Sequence, residues 1–232
     1  MIFQENPAGI FRVEILGPGV CAAFSSRTFD NSRREEYLRL LSLDPRQLVM
    51  VKQVHGSGVL AVKGTDPGLL EEPADGLITG TPGLVLGIRT ADCVPVFFWD
   101  ASKRVAGIAH GGWKGVKAGI ISRMLNGFER EFGTDVKDLK VVFGPSIRKC
   151  CYEVGKEFLG HFPGFYRRKD ASKGLLDLVG VIRDRLVKRG VPGAQIHDTG
   201  LCTVCRNETF FSYRNDSQTQ ERILNIISIL PA

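Results

Sequence analysis

The stretch VPVFFWDASKRVAGIAHGG, residues 94–112, indicates the fold class. Two apolar runs, 94–99 and 105–109, flank the turn-forming sequence Asp100-Ala101-Ser102-Lys103. Short apolar runs on either side of such a turn predict two strands joined as a β-hairpin. The second strand runs into His110 and stops at Gly111-Gly112, so the sequence places a chemically useful side chain at a strand end.

The segments around this hairpin predict a mixture of strands and helices. Apolar residues spaced by four predict an amphipathic helix over 116–132, which ends before Gly133. A second helix is predicted over 175–188 and a short one over 33–43. Further strands are predicted over 19–25, 48–54, 83–88, 139–143, 195–198, 209–213 and 223–230. Hairpins alongside crossovers predict the α/β (α+β) class, with mixed β-sheets and flanking helices rather than a doubly wound fold.

Length and charge narrow the protein class. The chain has 232 residues, of which 43% are hydrophobic, and this predicts one large domain over 1–232. Lys and Arg exceed Asp and Glu by 31 to 25, giving a net charge of +6. The basic residues are scattered, and the densest cluster, 167–169, is interpreted as solvated surface. We therefore expect no nucleic-acid partner, and the oligomeric state stays open.

The sequence also predicts a compartment. The first residues lack a basic start followed by an apolar run, so no signal peptide is expected. No stretch approaches the ~18 apolar residues that span a bilayer, so no membrane partner is expected. These features predict a cytoplasmic protein, whose six cysteines would be reduced thiols or ligands.

Two of the four histidines share one context: His55 and His110 each follow an apolar run and directly precede glycine. Cys93 also lies at a strand end. Thiolate and imidazole are good zinc ligands, and three protein ligands leave a fourth position open for water or substrate. The separations are long, so the same residues are also compatible with separate hydrogen-bond networks. They are equally compatible with a Cys93 nucleophile activated by His110 or His55.

The remaining cysteines and histidines carry weaker signals. Cys202 and Cys205 have CxxC spacing, but no second pair lies nearby to complete a zinc knuckle, so packed or partly exposed thiols are favoured. Cys150 and Cys151 are adjacent; we interpret them as small buried side chains that do not share one metal. His161 is interpreted as a surface loop residue, and His197 as a strand residue of the core or the cleft rim.

Several cations are candidates for binding an anionic substrate, since arginine forks suit phosphate and carboxylate groups. They follow or precede the predicted strand ends: Arg27, Lys52, Arg89, Lys114 and Arg214. Each of them, taken singly, is also compatible with an ordinary surface charge.

Seven motifs then occur in order along the chain. They are Lys52-Gln-Val-His55-Gly, Ala74-Asp-Gly-Leu-Ile-Thr79, Arg89-Thr-Ala-Asp-Cys93-Val-Pro-Val96, Ala109-His110-Gly-Gly-Trp-Lys-Gly115, Gly144-Pro-Ser-Ile147, Cys151-Tyr-Glu-Val-Gly155 and Phe210-Phe-Ser-Tyr-Arg-Asn-Asp216. Together they resemble the bacterial laccase-domain family, also called multicopper polyphenol oxidoreductases and more recently purine nucleoside phosphorylases. The resemblance covers most of the chain.

The resemblance implies a zinc ion on His55, Cys93 and His110. It implies phosphorolysis of adenosine, inosine, guanosine and methylthioadenosine, together with adenosine deaminase activity, on a fold similar to that of a bacterial deamidase toxin. Purine nucleosides and phosphate are then the expected partners. The catalytic set expected on this basis is His55, Cys93, His110, Arg214 and Arg27. The expected substrate-binding set is Arg27, Lys52, Gln53, Arg89, Asp92, Lys114 and Arg214.

The sequence departs from the family pattern at two places. The family often carries two glycines in the loop after its first strand, where this chain has Arg27-Thr-Phe-Asp-Asn-Ser32. The motif that follows the second histidine usually reads Ala-Gly-Trp-Arg, and here it is Gly111-Gly112-Trp113-Lys114. The first departure leaves the role of the Arg27 loop open.

The family's older name implies copper chemistry, which the histidine count argues against. Four histidines are too few for a multicopper cluster in one chain. Two histidines and one cysteine do resemble a blue-copper ligand set, so copper is expected as a secondary occupant and a copper-dependent polyphenol oxidase stays open. The sequence is also compatible with a cysteine hydrolase or deamidase that uses Cys93 and His110, and with a metal-dependent binding module without enzymatic activity.

Overall fold

The structure is a computed structural model that describes residues 1–64 and 68–231. Its strands in chain order are β1 (Phe3–Glu5), β2 (Ile10–Val13), β3 (Val20–Ser25), β4 (Leu48–Lys52), β5 (Val59–Ala61), β6 (Gly68–Pro73), β7 (Gly76–Thr79), β8 (Val85–Thr90), β9 (Val94–Asp100), β10 (Val105–Gly111), β11 (Lys140–Phe143), β12 (Glu153–Gly155), β13 (Tyr166–Arg168), β14 (Lys173–Leu176), β15 (Ile196–Asp198) and β16 (Ile223–Ile229). Its helices are α1 (Arg34–Leu40), α2 (Trp113–Ala118), α3 (Ile120–Phe132), α4 (Phe158–His161) and α5 (Leu178–Lys188).

The strands form two large mixed sheets and one small sheet. The seven-stranded sheet has the order β1-β2-β3-β16-β8-β4-β6, and the six-stranded sheet has the order β15-β11-β9-β10-β7-β5. Antiparallel pairs dominate, but β4 runs parallel to both β6 and β8, β11 to β15, and β5 to β7. The small sheet has the order β12-β14-β13. The protein is therefore a mixed α/β protein, as the sequence predicts.

The hairpin β9–β10 explains how the layers pack, because successive side chains of β9 point to opposite faces. Phe97 and Trp99 enter a core that they share with residues of the seven-stranded sheet, such as Phe24. Val96 and Phe98 enter a second core, which α3 and α5 cover. Helix α1 covers the outer face of the seven-stranded sheet in a third core. The apolar runs are continuous because both faces of these strands are buried.

The helix predicted over 116–132 is two helices, α2 and α3. Gly119 stands between them with a left-handed backbone, at φ 93°. The apolar spacing continues across this glycine, and for that reason the pattern alone predicts one helix. Gly133 ends α3 with φ 65°, as the sequence predicts. Because only glycine adopts this conformation without steric cost, Gly119 allows α2 to end and α3 to begin at this position.

Two other predicted elements differ from the structure. The predicted helix over 175–188 begins only at Leu178, because 173–176 form β14 and the Asp177 side chain accepts a hydrogen bond from the Gly180 amide at 2.8 Å. The predicted strand over 209–213 is irregular backbone. The apolar Phe210 of this segment packs its ring on that of Phe11, with ring centroids 5.2 Å apart. An apolar run therefore marked a packing contact here and not a ladder of backbone hydrogen bonds.

Most of the other predicted elements match the structure to within a few residues. The helix predicted over 33–43 corresponds to α1, and the strand predicted over 48–54 corresponds to β4. Within the described ranges, no helix combines the length and the apolar character needed to cross a bilayer.

Candidate metal centre and its cleft

The candidate site lies where the two large sheets meet. His55 follows β4 and Cys93 lies between β8 and β9, while His110 is near the end of β10. Strands β4 and β8 belong to the seven-stranded sheet, whereas β9 and β10 belong to the six-stranded sheet. All three side chains line one cleft of about 660 Å³, a volume within the range of small-molecule sites.

The structure brings the predicted trio together. One ligand atom from each of His55, Cys93 and His110 lies within 4.8 Å of the other two. The two imidazole rings have centroids 4.7 Å apart and planes at 76°, so they meet edge to face and do not stack. Residues far apart in sequence therefore present one sulfur and two nitrogens to a common point.

Asp75 orients the two histidines of this trio. Its side chain is fully buried, and its Oδ1 lies 2.7 Å from His110 Nδ1. A histidine that donates Nδ1–H to a carboxylate directs its other nitrogen, Nε2, toward a ligand. The Asp75 carboxylate also accepts hydrogen bonds from the backbone amides of His55 at 3.0 Å and Gly56 at 2.7 Å. One carboxylate thus fixes the position of both histidines.

The backbone at the site is held in uncommon conformations. His55 has φ 57° and Asp92 has φ 89°, in the left-handed region that residues other than glycine rarely adopt. The hydrogen bonds from the 54–56 amides to Asp75 hold the His55 conformation. The Asp92 carboxylate accepts hydrogen bonds from Thr203 Oγ1 at 2.6 Å and from the Arg214 amide at 2.7 Å. These two bonds hold the Asp92 conformation.

The charges of the trio favour a thiolate. Burial raises the pKa of the Cys93 thiol, but the positive charge of His110 and hydrogen bonds from His110 and His55 outweigh it and lower that pKa to about 6. Burial lowers the pKa of His110, whereas the Cys93 thiolate and the Asp75 carboxylate raise it to about 9. The two groups titrate as a coupled pair. Without a metal ion, the stable form of the pair is a thiolate beside an imidazolium.

The residues fit a metal ion in both chemistry and space. A thiolate and two imidazoles match the donors that zinc prefers, and three ligands leave one position open. A Cβ built on Gly112 would lie 3.2 Å from Cys93 Sγ and 3.3 Å from His55 Cδ2. Glycine at this position therefore leaves the space between the donors and the helix α2 N-terminus free of side-chain atoms.

Cations and aromatic rings surround the trio. The cations that line the cleft are Arg89, Lys114, Arg214 and Arg222, and the aromatic residues are Trp113, Tyr152 and Tyr213. The Arg214 guanidinium lies over the Tyr152 ring, 5.5 Å from its centroid, and its Nη1 donates to Glu153 O at 2.7 Å. The single carboxylate among the lining residues, Asp92, is already hydrogen-bonded. Such a cleft favours an anionic ligand that has a flat ring.

Most of the predicted binding residues line the cleft, but two do not. Gln53, Arg89, Asp92, Lys114 and Arg214 are among the lining residues. Lys52 is exposed at the end of β4, outside the cleft. Arg27 also lies outside the cleft, because its guanidinium pairs with Asp216 and its Nε donates to Asn207 O at 2.6 Å.

The expected substrate contacts of Arg27 and Lys52 stay predictions, since the structure places neither residue among those that line this cleft. Arg27 contacts Asn207, Phe210 and Asp216, in the segment that also carries Tyr213 and Arg214. Gln53 lines the cleft, but its amide bonds both backbone groups of Arg89, at 2.8 and 2.9 Å. It joins the ends of β4 and β8.

Sequence reasoning assigned no role to several residues that form the site. Asp75 is the most important of them; it lies within the Ala74–Thr79 motif, and its acidic side chain inside an apolar segment was the signal. The others are Trp113, Tyr152, Tyr213 and Arg222. The first three belong to the seven motifs, whereas no pattern marks Arg222.

The remaining histidines and cysteines are placed as follows. His197 lies in β15 and His161 in α4, and neither lines the cleft. The interpretation of Cys150 as a buried side chain is wrong, because the residue is exposed. Cys202 is buried and Cys205 is exposed, in agreement with packed or partly exposed thiols, and their sulfurs lie within 4.8 Å of those of Cys150 and Cys151 in a distant turn.

The fold and the cleft define a class: a mixed α/β protein that holds a His/Cys/His donor set at the meeting point of two sheets. The family model for multi-copper polyphenol oxidoreductase laccase matches residues 29–230. The chain belongs to this family.

Named relatives and a solved structure agree with that assignment. The chain is 33% identical over 239 residues to the mouse protein named purine nucleoside phosphorylase LACC1, and the match covers 98% of this chain but 55% of that protein. It is 32% identical over 189 residues to adenosine deaminase RL5 of an unknown prokaryotic organism, covering 75% of this chain and 72% of that protein. The crystal structure of YlmD from Geobacillus stearothermophilus superposes with a TM-score of 0.93 at 27% identity, covering 99% of each chain.

Proposed function

We propose that this protein is a zinc-dependent purine nucleoside phosphorylase with adenosine deaminase activity, acting on adenosine, inosine, guanosine and methylthioadenosine. The observation that carries the proposal is the combination within one cleft of a three-donor metal set, four cations and three aromatic side chains. The names of the mouse and RL5 relatives support both reactions.

The cations provide the phosphate-binding function. Phosphorolysis breaks the bond between C1′ and the purine nitrogen and forms a bond between C1′ and a phosphate oxygen. Lys114, Arg214 and Arg222 line the cleft around the trio, so their charges would concentrate phosphate there and stabilise the negative charge that develops on the departing base. Among the described residues that line the cleft, Asp92 is the one carboxylate, so repulsion of phosphate is correspondingly small.

The aromatic side chains provide the purine-binding surface. Trp113, Tyr152 and Tyr213 line the cleft next to apolar Ile147 and Leu178. Rings of this kind stack on purine bases without regard to the exocyclic group at C6. Because stacking does not depend on the group at C6, the cleft is proposed to accept both adenosine and inosine.

The metal set links the second reaction to the same cleft. Zinc bound by His55, Cys93 and His110 would supply a Lewis acid at its open position, which is the chemistry that hydrolytic deamination of adenine requires. The Asp75 carboxylate lies 2.7 Å from His110 Nδ1, which favours a proton on that nitrogen and leaves Nε2 to bind the metal ion.

The test is a product analysis with matched variants. Protein purified without added metal is analysed for zinc and copper, then incubated with inosine and adenosine, with and without phosphate. We expect base and ribose 1-phosphate only when phosphate is present, and ammonia from adenosine in either case. Cys93→Ala and His110→Ala should abolish both activities, and Arg214→Ala should raise the KM for phosphate.

Arg39→Ala is the control for Arg214→Ala, because Arg39 is exposed on α1, away from the cleft, and pairs with Glu35. Its kinetics should equal those of the unchanged protein. Phosphorolysis that survives in both Cys93→Ala and His110→Ala would contradict the shared site. Copper in place of zinc, with oxidation of phenols, would instead support a polyphenol oxidase.

A second candidate function has an observation of its own. The arrangement of Cys93, His110 and Asp75 also matches a cysteine nucleophile with its base and the residue that orients the base. A cysteine hydrolase or deamidase of this kind would be active without metal. Its Cys93 would be alkylated with a pH midpoint of about 6, and chelation would not reduce its turnover. Loss of turnover on chelation and recovery with zinc would exclude it.

A further inference from the structure

Four cysteine side chains converge outside the cleft. Cys150 and Cys151 lie in the turn before β12, whereas Cys202 and Cys205 lie in the turn after β15. The four sulfur atoms lie within 4.8 Å of one another. The Cys205 sulfur is 3.7 Å from that of Cys150 and 3.4 Å from that of Cys151. Nothing in the proposed reactions uses these thiols.

The sulfur separations match a metal cage and not a disulfide. The two sulfurs of a disulfide lie ~2.05 Å apart, much closer than these. In a tetrahedral zinc site with Zn–S bonds of ~2.3 Å, neighbouring sulfurs are ~3.8 Å apart. The distances of 3.4 and 3.7 Å lie close to that value, so an ion at the centre would need only small side-chain adjustments.

The surrounding backbone holds the two turns together without relying on the thiols. Ser146 N donates to Leu201 O at 3.1 Å, and Thr203 N donates to Ser146 O at 3.1 Å. The Arg148 guanidinium binds Gly144 O and Leu201 O, at 2.8 and 3.1 Å. The donor positions are thus preorganised by the fold, which reduces the entropy that metal binding would cost.

Backbone amides surround one sulfur of the cluster. Those of Cys205, Arg148 and Val204 lie beside the Cys202 sulfur, where outer-shell donors stand in metal sites. A divalent ion with four thiolates carries a net charge of −2. Lys149 and Arg206 are the immediate neighbours of Cys150 and Cys205 in sequence, and they pair with Asp177 and Glu208.

We propose that Cys150, Cys151, Cys202 and Cys205 bind a second zinc ion in a closed, structural site. Four protein ligands leave no open position, which distinguishes this site from the trio. The ion would clamp two turns that adjoin the cleft: Tyr152, which lines it, follows Cys151, and Thr203, between Cys202 and Cys205, donates to the cleft residue Asp92. Its role is to hold the cleft wall in place.

Metal analysis of single-site variants tests the proposal. Protein purified without chelator or added metal should contain two zinc ions per chain. Cys205→Ser and the double variant Cys150→Ser/Cys205→Ser change exposed residues, and each should contain one. His110→Ala should also contain one, because it empties only the trio. Cys21→Ala, which removes a buried thiol on β3 outside both donor sets, should still contain two.

A spectroscopic measurement identifies the ligands without depending on stability. X-ray absorption on zinc-loaded His110→Ala should show sulfur neighbours alone, whereas Cys205→Ser should show mainly nitrogen and one sulfur. Iron with the same all-sulfur shell would overturn the choice of zinc. His110→Ala protein without metal would overturn the site. Fewer than six free thiols after anaerobic denaturation in chelator would also overturn the site, since this result would reveal a disulfide. The nucleoside reactions are assayed separately, so failure of this site and failure of the proposed function are distinguishable.

Discussion

Asp75 links the two histidines of the cleft through one carboxylate. It accepts hydrogen bonds from the His110 ring and from three successive backbone amides, those of Val54, His55 and Gly56. Burial raises the pKa of Asp75, but the hydrogen bonds from His110 and Gly56 outweigh it and lower that pKa. The carboxylate therefore stays charged and keeps its acceptor role over the physiological pH range.

Asp75→Asn should weaken zinc binding at the trio by about 10- to 100-fold, the usual cost of losing an outer-shell carboxylate. The amide keeps the size of the side chain but presents N–H groups to donors, so the His110 tautomer and the His55 loop are no longer held together. Competition with a coloured chelator measures the affinity. Asp184→Asn, in a partly exposed ion pair with Lys188 on α5, is the control. Equal affinity in both variants would show that Asp75 does not orient the ligands.

Gly112→Ala should also reduce the zinc affinity of the trio. Its backbone, at φ −74° and ψ 154°, suits alanine, so the effect comes only from the new methyl group next to Cys93 and His55. Gly193→Ala is the matched control, because a Cβ there meets no atom within 4 Å. Isothermal titration calorimetry with zinc measures the affinity of each variant. A Gly112→Ala affinity equal to that of Gly193→Ala would mean that the donors have room to move.

At the scale of elements, the β9–β10 hairpin places His110 near the end of β10, at the cleft. Its turn is stabilised by Asp100, whose Oδ1 accepts hydrogen bonds from the amides of Ser102 at 2.9 Å and Lys103 at 3.1 Å. Burial raises the pKa of Asp100, but hydrogen bonds from Ser102 and Lys103 lower it by more. The folded chain therefore binds a proton here less readily than the unfolded chain.

Asp100→Asn should lower the free energy of unfolding at neutral pH, and the difference from the unchanged protein should shrink in acid. Because the folded-state pKa lies below the unfolded one, this contribution is present above the ordinary carboxyl range. It is lost as the pH falls through the folded-state value. Urea unfolding at neutral pH and at several values below about 4 measures the trend. A difference that does not change with pH would assign the effect to packing. Asp184→Asn again serves as the control.

Elements were predictable where local pattern and tertiary packing agree. The runs 94–99 and 105–109 are short, apolar and joined by turn residues, so β9 and β10 were predicted. Strands β12 and β13 are three residues long and largely polar, so only pairing with β14 defines them. In the site, glycines after the histidines marked the trio. The four-cysteine cluster was missed because its two halves lie far apart in the sequence, at 150–151 and 202–205.

At the scale of the whole molecule, the cleft depends on the core through the segment 206–216. Phe210 is fully buried and contacts Phe11 and Phe24, with ring centroids 5.2 and 6.1 Å away. Four residues later, Arg214 reaches the cleft. The aromatic cluster of the seven-stranded sheet thus anchors a functional loop.

Phe210→Ala should destabilise the fold by about 3–5 kcal/mol, the usual cost of removing a buried aromatic ring. It should also raise the KM for phosphate, because the Arg214 loop loses its anchor. Phe210→Leu retains much of the side-chain volume and should show a smaller effect on both quantities. Urea unfolding and phosphate kinetics give the two readouts. Loss of stability with an unchanged KM would show that the loop keeps its position without the ring.

The left-handed backbone of His55 affects how quickly an ion is captured. The Asp75 hydrogen bonds already hold this uncommon conformation, so the ligand loop need not search for its bound geometry after zinc arrives. The association rate should then be limited by the release of water from the hydrated ion. A metal that exchanges its water slowly, such as nickel, should load more slowly than zinc by a factor set by the ion and not by the protein.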